Sequence, residues 1–300
     1  MTRHTHRPAS GRQQHARSRH SLRAPQRWDD ALSEGEYRKL SSLIELRLGF
    51  RMPPSKRTLL HGRMVRRARS LGLPSLRDYC RRVLDGGEHG PEFAHFLDIV
   101  TTNVTSFFRE PKQLELVQKH LQGLAAPGGM RELKVWSAAC SRGHEVWTLG
   151  MIMSELHAAP HFSLLGSDIS QQVLEQAVTA VYPEAELSPV PARWRKRYFM
   201  HSRQPDERLA RVVPELRQRA RFQRLNLMDA AFSVPTDFDL ALLRNVLIYF
   251  DANTQREVVN KVIRHLKPGG LLCVGLAESL HAYKLPLEHV QLGMYRRRAA

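Results

Sequence analysis

Cysteine is scarce in this chain of 300 residues, with only Cys80, Cys140 and Cys273 present. An odd number at wide spacing excludes a disulfide framework, and none of the three has a partner at zinc-type spacing, so no metal site is predicted. They read as reduced structural thiols. Any run of about 18 apolar residues is missing too, which argues against a spanning helix. The Arg- and His-rich start lacks the apolar core of a secretory signal. These absences predict a cytoplasmic protein with no membrane insertion. Acid is absent from residues 1–28, which carry seven Arg and no Asp or Glu. With so few apolar groups, that segment cannot offset its ordering entropy and is predicted to be a disordered basic tail. No zinc finger, aromatic RNA motif or glycine-rich RNA loop accompanies the net charge of +17. Specific nucleic-acid recognition is therefore not predicted, because charge alone gives only sequence-independent attraction.

What is present divides the chain in two. A hydrophobic content of 42% supports substantial cores, and the length favours two domains. Ser33 and Glu36 match a capping box, followed by Tyr37, Leu40, Leu43, Ile44 and Leu48 at helical spacing. A second helix is predicted over 55–70, carrying Lys56, Arg57, Arg63, Arg66, Arg67 and Arg69 as a cationic face. Further helices over 76–84 and 92–101 complete an N-terminal helical domain of residues 31–100. From residue 101 to 300 the pattern changes to alternating strands and helices, the signature of a doubly wound parallel sheet. Strands are predicted over 133–140, 162–169, within 238–250 and over 271–276, with helices over 145–157, 171–181 and 254–266. Lys267–Gly270 reads as a turn. Residues from 183 to about 223 are rich in Pro and Arg and break the alternation, predicting a small inserted subdomain.

In such a sheet, ligands collect at the carboxyl ends of the strands. The first strand ends in Ser137-Ala138-Ala139-Cys140-Ser141-Arg142-Gly143-His144-Glu145, where Gly143 would let the backbone turn tightly against a ligand. Asp168 comes 25 residues after Gly143 at the end of the next strand, near the distance at which an acid accepts from ribose hydroxyls. The cofactor is then a nicotinamide dinucleotide or S-adenosylmethionine. Pyrophosphate favours several glycines at a helix N-terminus, whereas this loop has one, followed by Glu145. A carboxylate there suits a cationic ammonium or sulfonium and repels pyrophosphate, which favours S-adenosylmethionine.

Longer strings agree. Thr101-Thr102-Asn103-Val104-Thr105-Ser106-Phe107-Phe108-Arg109-Glu110, LGL at 71–73, VWSAACSRGHE, GSDIS, Asn226-Leu227, LRNVLIYFD at 243–251 and LKPGGLLCVGLAES together resemble the CheR family of chemotaxis receptor methyltransferases. The resemblance runs over roughly residues 32–298 and implies a Rossmann-like, class I S-adenosylmethionine-dependent methyltransferase domain. It also implies methyl transfer to glutamate side chains of chemoreceptors, engaged through their cytoplasmic helical domain. By the same resemblance Asn103, Thr105, Arg109, Glu145, Asp168, Asn226, Leu227, Arg244 and Asn245 line the cofactor pocket. Arg109 and Tyr249 are the catalytic candidates, orienting the substrate carboxylate, and the basic second helix would face an acidic receptor surface. Two departures from the family pattern stand out. The common Gly-Glu-Glu-Pro-Tyr is Gly143-His144-Glu145-Val146-Trp147 here, which opens the alternative of a non-catalytic member that binds cofactor or partner. His201–Arg208 lacks the glycine with which some relatives bind a receptor pentapeptide, so no such tether is predicted.

Overall fold

The computed structural model describes residues 31–87, 90–125, 132–156, 161–204 and 206–299. The basic segment 1–28 lies outside the described residues.

Helix α1 (Glu34–Leu48) begins at the capping box, in which Ser33 and Glu36 satisfy each other's backbone amides, and ends at Gly49 in left-handed conformation. Its buried Tyr37, Leu40, Ile44 and Leu48 face the core of a four-helix unit. A 3₁₀ turn (Pro54–Lys56) leads into α2 (Arg57–Ser70), then α3 (Leu76–Gly86) and α4 (Pro91–Val100). The cationic face expected of α2 is divided by its neighbours. Arg57 donates to the Leu32 carbonyl, Arg63 to the end of α4, and Arg67 forms a two-point ion pair with buried Glu92 at 2.7 and 3.1 Å. The reason is registry: at helical spacing, positions 63 and 67 lie on the flank that meets α4.

After the junction comes α5 (Pro111–Leu124), an element not expected from the sequence, although Pro111 at its first turn and Leu114, Val117 and Leu121 at helical spacing mark it. The main sheet then alternates with helices: β1 (Leu133–Ala138), α6 (His144–Ser154), β2 (Phe162–Asp168) and α7 (Gln171–Thr179). A small antiparallel sheet interrupts it, formed by β3 (Val181–Pro183), β4 (Phe199–His201) and β5 (Leu209–Val212) in the order β3-β5-β4, with α8 (Ala192–Tyr198) between β3 and β4. The short α9 (Pro214–Arg217) returns the chain to β6 (Ala220–Arg224), which pairs with β2 in the main sheet. β7 (Phe238–Leu243), α10 (Ala252–His265), β8 (Leu266–Val274), β9 (Leu287–Gln291) and β10 (Met294–Arg297) complete the fold.

The seven strands run in the order β6-β2-β1-β7-β8-β10-β9. The first five are parallel; β10 and β9 add an antiparallel hairpin at one edge. β8 runs through Lys267–Gly270, which had read as a turn, and a register shift opposite Phe238 and Leu240 accommodates it. In β7 every residue is buried, and its alternate side chains serve two cores. Leu240 and Leu242 pack on the α5 and α6 side, while Ala241 and Leu243 pack on the α10 side. This is the doubly wound class I methyltransferase architecture, preceded by a helical unit and carrying a small inserted sheet.

Candidate functional site

One cleft opens where the strand order turns back, at the carboxyl ends of β1, β2 and β7. Its empty space, mouth included, is about 990 Å³. Asn103, Thr105, Arg109, Glu145, Asp168, Asn226, Leu227, Arg244, Asn245 and Tyr249 all line it. Sequence reasoning did not anticipate Leu48 and Phe50, contributed by the helical unit, or Ser141 and Thr148. Thr148 stands one turn after Glu145 on α6, a spacing that could have revealed it.

Asp168 ends β2 and shapes the loop after β1. Its Oδ2 accepts the Ser141 N–H at 2.8 Å and its Oδ1 the Ser170 N–H at 3.1 Å. Burial pushes its carboxyl above the usual range, against the pull of those amides. Each oxygen retains a second acceptor position. Ala139 and Ser141 in that loop have φ of 67° and 49°. Gly143, at φ 85°, turns elsewhere: a Cβ there would lie 2.8 Å from the Ala177 Cβ, so the glycine permits α6 to approach α7 and forms no part of the cleft wall. His144 also faces away. Its fully buried ring lies 2.7 Å from Glu186 through Nε2 and packs edge-on against Tyr182. Burial lowers it to about 4, so it is neutral at pH 7 and donates to Glu186, while Arg142 supplies that acid's charge partner at 3.1 Å.

Glu145 is held from both sides: Ser137 Oγ donates to Oε1 at 2.7 Å and Arg244 Nη1 to Oε2 at 2.8 Å. Arg244, with its side chain 2% exposed, also donates through Nη2 to Glu110 at 2.8 Å and to the Arg109 carbonyl at 2.7 Å. Burial alone would lower the guanidinium's pKa, but Glu145 and Glu110 outweigh it and hold it above its ordinary value. For Glu110, burial pulls upward and Arg244 prevails, leaving its carboxyl below the usual range. Asn245, at φ 60°, places its Nδ2 3.3 Å from Glu110. The next turn is pinned by Glu278, which receives the N–H groups of Asn245 at 2.9 Å, Leu247 at 2.8 Å and Gly275 at 2.6 Å. Glu110 and Glu278 are supports that sequence reasoning missed. A buried Arg requires acids near it, but the burial of Arg244 is itself set by the fold, so the sequence carried no signal for Glu110.

Arg109 donates to the Val104 carbonyl at 3.1 Å, while Glu110, its sequence neighbour, goes to Arg244. Tyr249 sits in a 3₁₀ turn (Leu247–Tyr249) with its ring 5.0 Å from Phe50 and under Lys56 Nζ at 5.6 Å. The Arg51 N–H donates to the Tyr249 carbonyl at 3.0 Å, tying the loop after α1 to this turn. Asn226 makes a second tie, donating to the Arg47 carbonyl at 2.8 Å and accepting from the Met228 N–H at 3.0 Å. Leu227 is part of the core as well as the cleft wall. The cleft thus combines two carboxylates, a cation at the junction, an apolar wall and a phenol. That set matches an adenosine bearing a zwitterionic amino acid better than a pyrophosphate, because Asp168 and Glu145 would repel the latter. Among the described residues, no cluster of His, Cys, Asp and Glu is arranged to hold a metal.

Residues 103–295 match the family described as CheR methyltransferase, SAM binding domain, and residues 35–101 match CheR methyltransferase, all-alpha domain. The chain is 38% identical over 251 residues to a chemotaxis protein methyltransferase of Escherichia coli (strain K12), covering 83% of this chain and 86% of that one. It is 36% identical over 244 residues to chemotaxis protein methyltransferase 2 of Pseudomonas aeruginosa, covering 79% and 84%. Among solved structures, SAM-bound CalS10, an amino pentose methyltransferase from Micromonospora echinaspora, aligns with a TM-score of 0.32 at 15% identity over 54% of this chain and 49% of that one. The two family matches divide the chain where α4 passes into the junction, and together they span both the helical unit and the cleft: the chain belongs to the CheR methyltransferase family and carries its S-adenosylmethionine-binding domain.

Proposed function

We propose that this protein methylates glutamate side chains of chemoreceptors, forming methyl esters in chemotaxis adaptation. The observation that carries the reading is the position of Arg109 and Tyr249 on one cleft with the acids Asp168 and Glu145. When bound, S-adenosylmethionine supplies an electrophilic methyl group on a sulfonium. Asp168, Glu145, Asn103, Thr105, Asn226, Leu227, Arg244 and Asn245 would hold it, with Asp168 suited to ribose hydroxyls and Glu145 to the ammonium. A glutamate carboxylate is already anionic at pH 7, so no side chain needs to abstract a proton. The task left to the protein is orientation. Arg109 presents paired donors that suit a carboxylate, and Tyr249 adds a phenolic donor, so the two would fix the orientation of the substrate carboxylate. Leu48 and Phe50, from the helical unit, add apolar surface to the cleft wall.

His144 supports activity over the non-catalytic alternative. The substituted position that motivated that alternative has its side chain on Glu186, and Glu145 is retained on the cleft. The substrate is the receptors' cytoplasmic helical domain, reached without a pentapeptide tether; micromolar affinity for a receptor tail peptide would sink that last point. No described helix is long and apolar enough to cross a membrane. A substrate on the receptors' cytoplasmic domain places the reaction in the cytoplasm.

Steady-state kinetics on receptor cytoplasmic fragments test the assignment. Arg109→Ala lowers kcat by about 100-fold and Tyr249→Phe by about tenfold, while calorimetric affinity for S-adenosylhomocysteine changes by less than about threefold. Equal losses of affinity and turnover would move both residues into the cofactor pocket and leave substrate orientation unassigned.

A further inference from the structure

Arg63 lies on the helix whose cations were expected to face a receptor surface, yet its guanidinium points into the molecule. Nη1 lies 3.0 Å from the carbonyl oxygens of both Ile99 and Thr101 and also contacts that of Val100; Nη2 donates to Thr102 Oγ1 at 3.0 Å. The last carbonyls of a helix have no partner within the helix and gather partial negative charge, so a cation there satisfies α4's end chemically. Beyond α4 the chain becomes the strip that lines the cofactor cleft, including Asn103 and Thr105. Elsewhere that strip is held by hydrogen bonds from Ser141 Oγ to the Asn103 carbonyl at 3.3 Å, from Arg109 Nη1 to the Val104 carbonyl at 3.1 Å and from Asn103 Nδ2 to Thr101 at 3.1 Å, and Val104 is 77% exposed. Arg63 also stands in a second groove, between α2 and Tyr249, which shares Thr102 and Phe50 with the cleft.

We infer that Arg63 is a positioning residue for the cofactor: it clamps the end of α4 and Thr102 so that the strip presents Asn103 and Thr105 at a fixed depth in the cleft. This rests on the reading of that cleft as the cofactor site. Arg66, one turn from that flank, is exposed and makes a matched control. The helix therefore carries two kinds of cation, one directed at its own protein and one at solvent.

Calorimetry with S-adenosylhomocysteine alone, without receptor, separates the possibilities. Arg63→Ala raises the Kd by about tenfold, the size associated with losing hydrogen bonds to a charged group. Thr102→Val, which removes one end of the clamp at constant shape, raises it by about threefold, and Arg63→Lys recovers part of the loss. Arg66→Ala leaves the Kd unchanged. In turnover, the KM for S-adenosylmethionine rises in Arg63→Ala while the KM for the receptor fragment does not. Wild-type affinity in a folded Arg63→Ala protein, with a raised receptor KM, would overturn the inference and return Arg63 to the receptor surface. A loss matched by the unfolded fraction in circular dichroism would make its role purely structural and overturn it too. If Arg63→Ala does not fold, Arg63→Lys and Thr102→Val decide by the same Kd criterion. A wild-type protein that binds no S-adenosylhomocysteine would instead remove the cofactor site itself.

Discussion

Asp168 shapes the loop after β1 and at the same time lines the cleft. Both of its oxygens already accept backbone amides, and that double use makes an isosteric change informative. Asp168→Asn sets an NH₂ group against one of those N–H donors and removes the acceptor offered to a ribose. Affinity for S-adenosylhomocysteine should fall by roughly 10- to 100-fold, measured by calorimetry, as expected when a buried donor is left without its acceptor. Unchanged affinity would place the ribose elsewhere. At this scale the sequence revealed much: Asp168 is legible from its place after an apolar strand, and Arg109 and Tyr249 from ordered strings around them. Glu110 and Glu278 were not legible, because their partners Arg244 and Asn245 lie 134 and 33 residues away in the chain and only the fold brings them together. Phe50 escaped for the same reason.

Elements were legible where period and caps agreed. The capping box at Ser33 and Glu36 marks α1, and the buried run of β7 marks a central strand. Lys267–Gly270 misled only in part: these residues have no partner in β7 and Gly269 sits at φ 80°, while the pairs Phe238–Leu266 and Leu240–Leu271 on either side carry the strand through them. The cationic pattern on α2 misled differently, since periodicity identifies a face but not what covers it. Gly143 is the element-scale test. With φ at 85° and the Ala177 Cβ 2.8 Å from where a Cβ would stand, Gly143→Ala should destabilise the fold by about 1–3 kcal/mol, read as a shift in a urea melt. Its folded fraction should keep wild-type affinity for S-adenosylhomocysteine. Lost affinity at unchanged stability would mean that the glycine serves the ligand after all.

For the molecule as a whole, the inserted sheet joins the main domain through Arg142, His144 and Glu186. His144 has a folded pKa near 4, below its unfolded value of about 6.5, so the unfolded chain binds the extra proton between those limits. Stability from this site is therefore complete above about pH 6.5 and falls as pH drops toward 4, with a slope approaching about 1.4 kcal/mol per unit. Glu186 acts in the same sense: burial raises its carboxyl, Arg142 and His144 outweigh that, and the resulting depression is lost as acid protonates it. Urea melts across that range should show this slope reduced in His144→Gln; an identical slope would assign the acid lability to other groups. Salt separates the two binding events. Raising NaCl from about 50 to about 300 mM should increase the KM for receptor fragments, because exposed charges are screened, and leave cofactor affinity nearly constant because its charges are buried. Equal sensitivity of both would contradict that division.

Phe108, Glu110, Ala139, Ser141 and Asn245 all carry positive φ without being glycine, and all stand in or beside the cleft wall. Such backbone costs on the order of 1–3 kcal/mol per residue, and surrounding contacts must hold it in place. Because the wall is set when the chain folds, that cost is incurred once in the lifetime of each protein molecule and not again for each methyl group transferred.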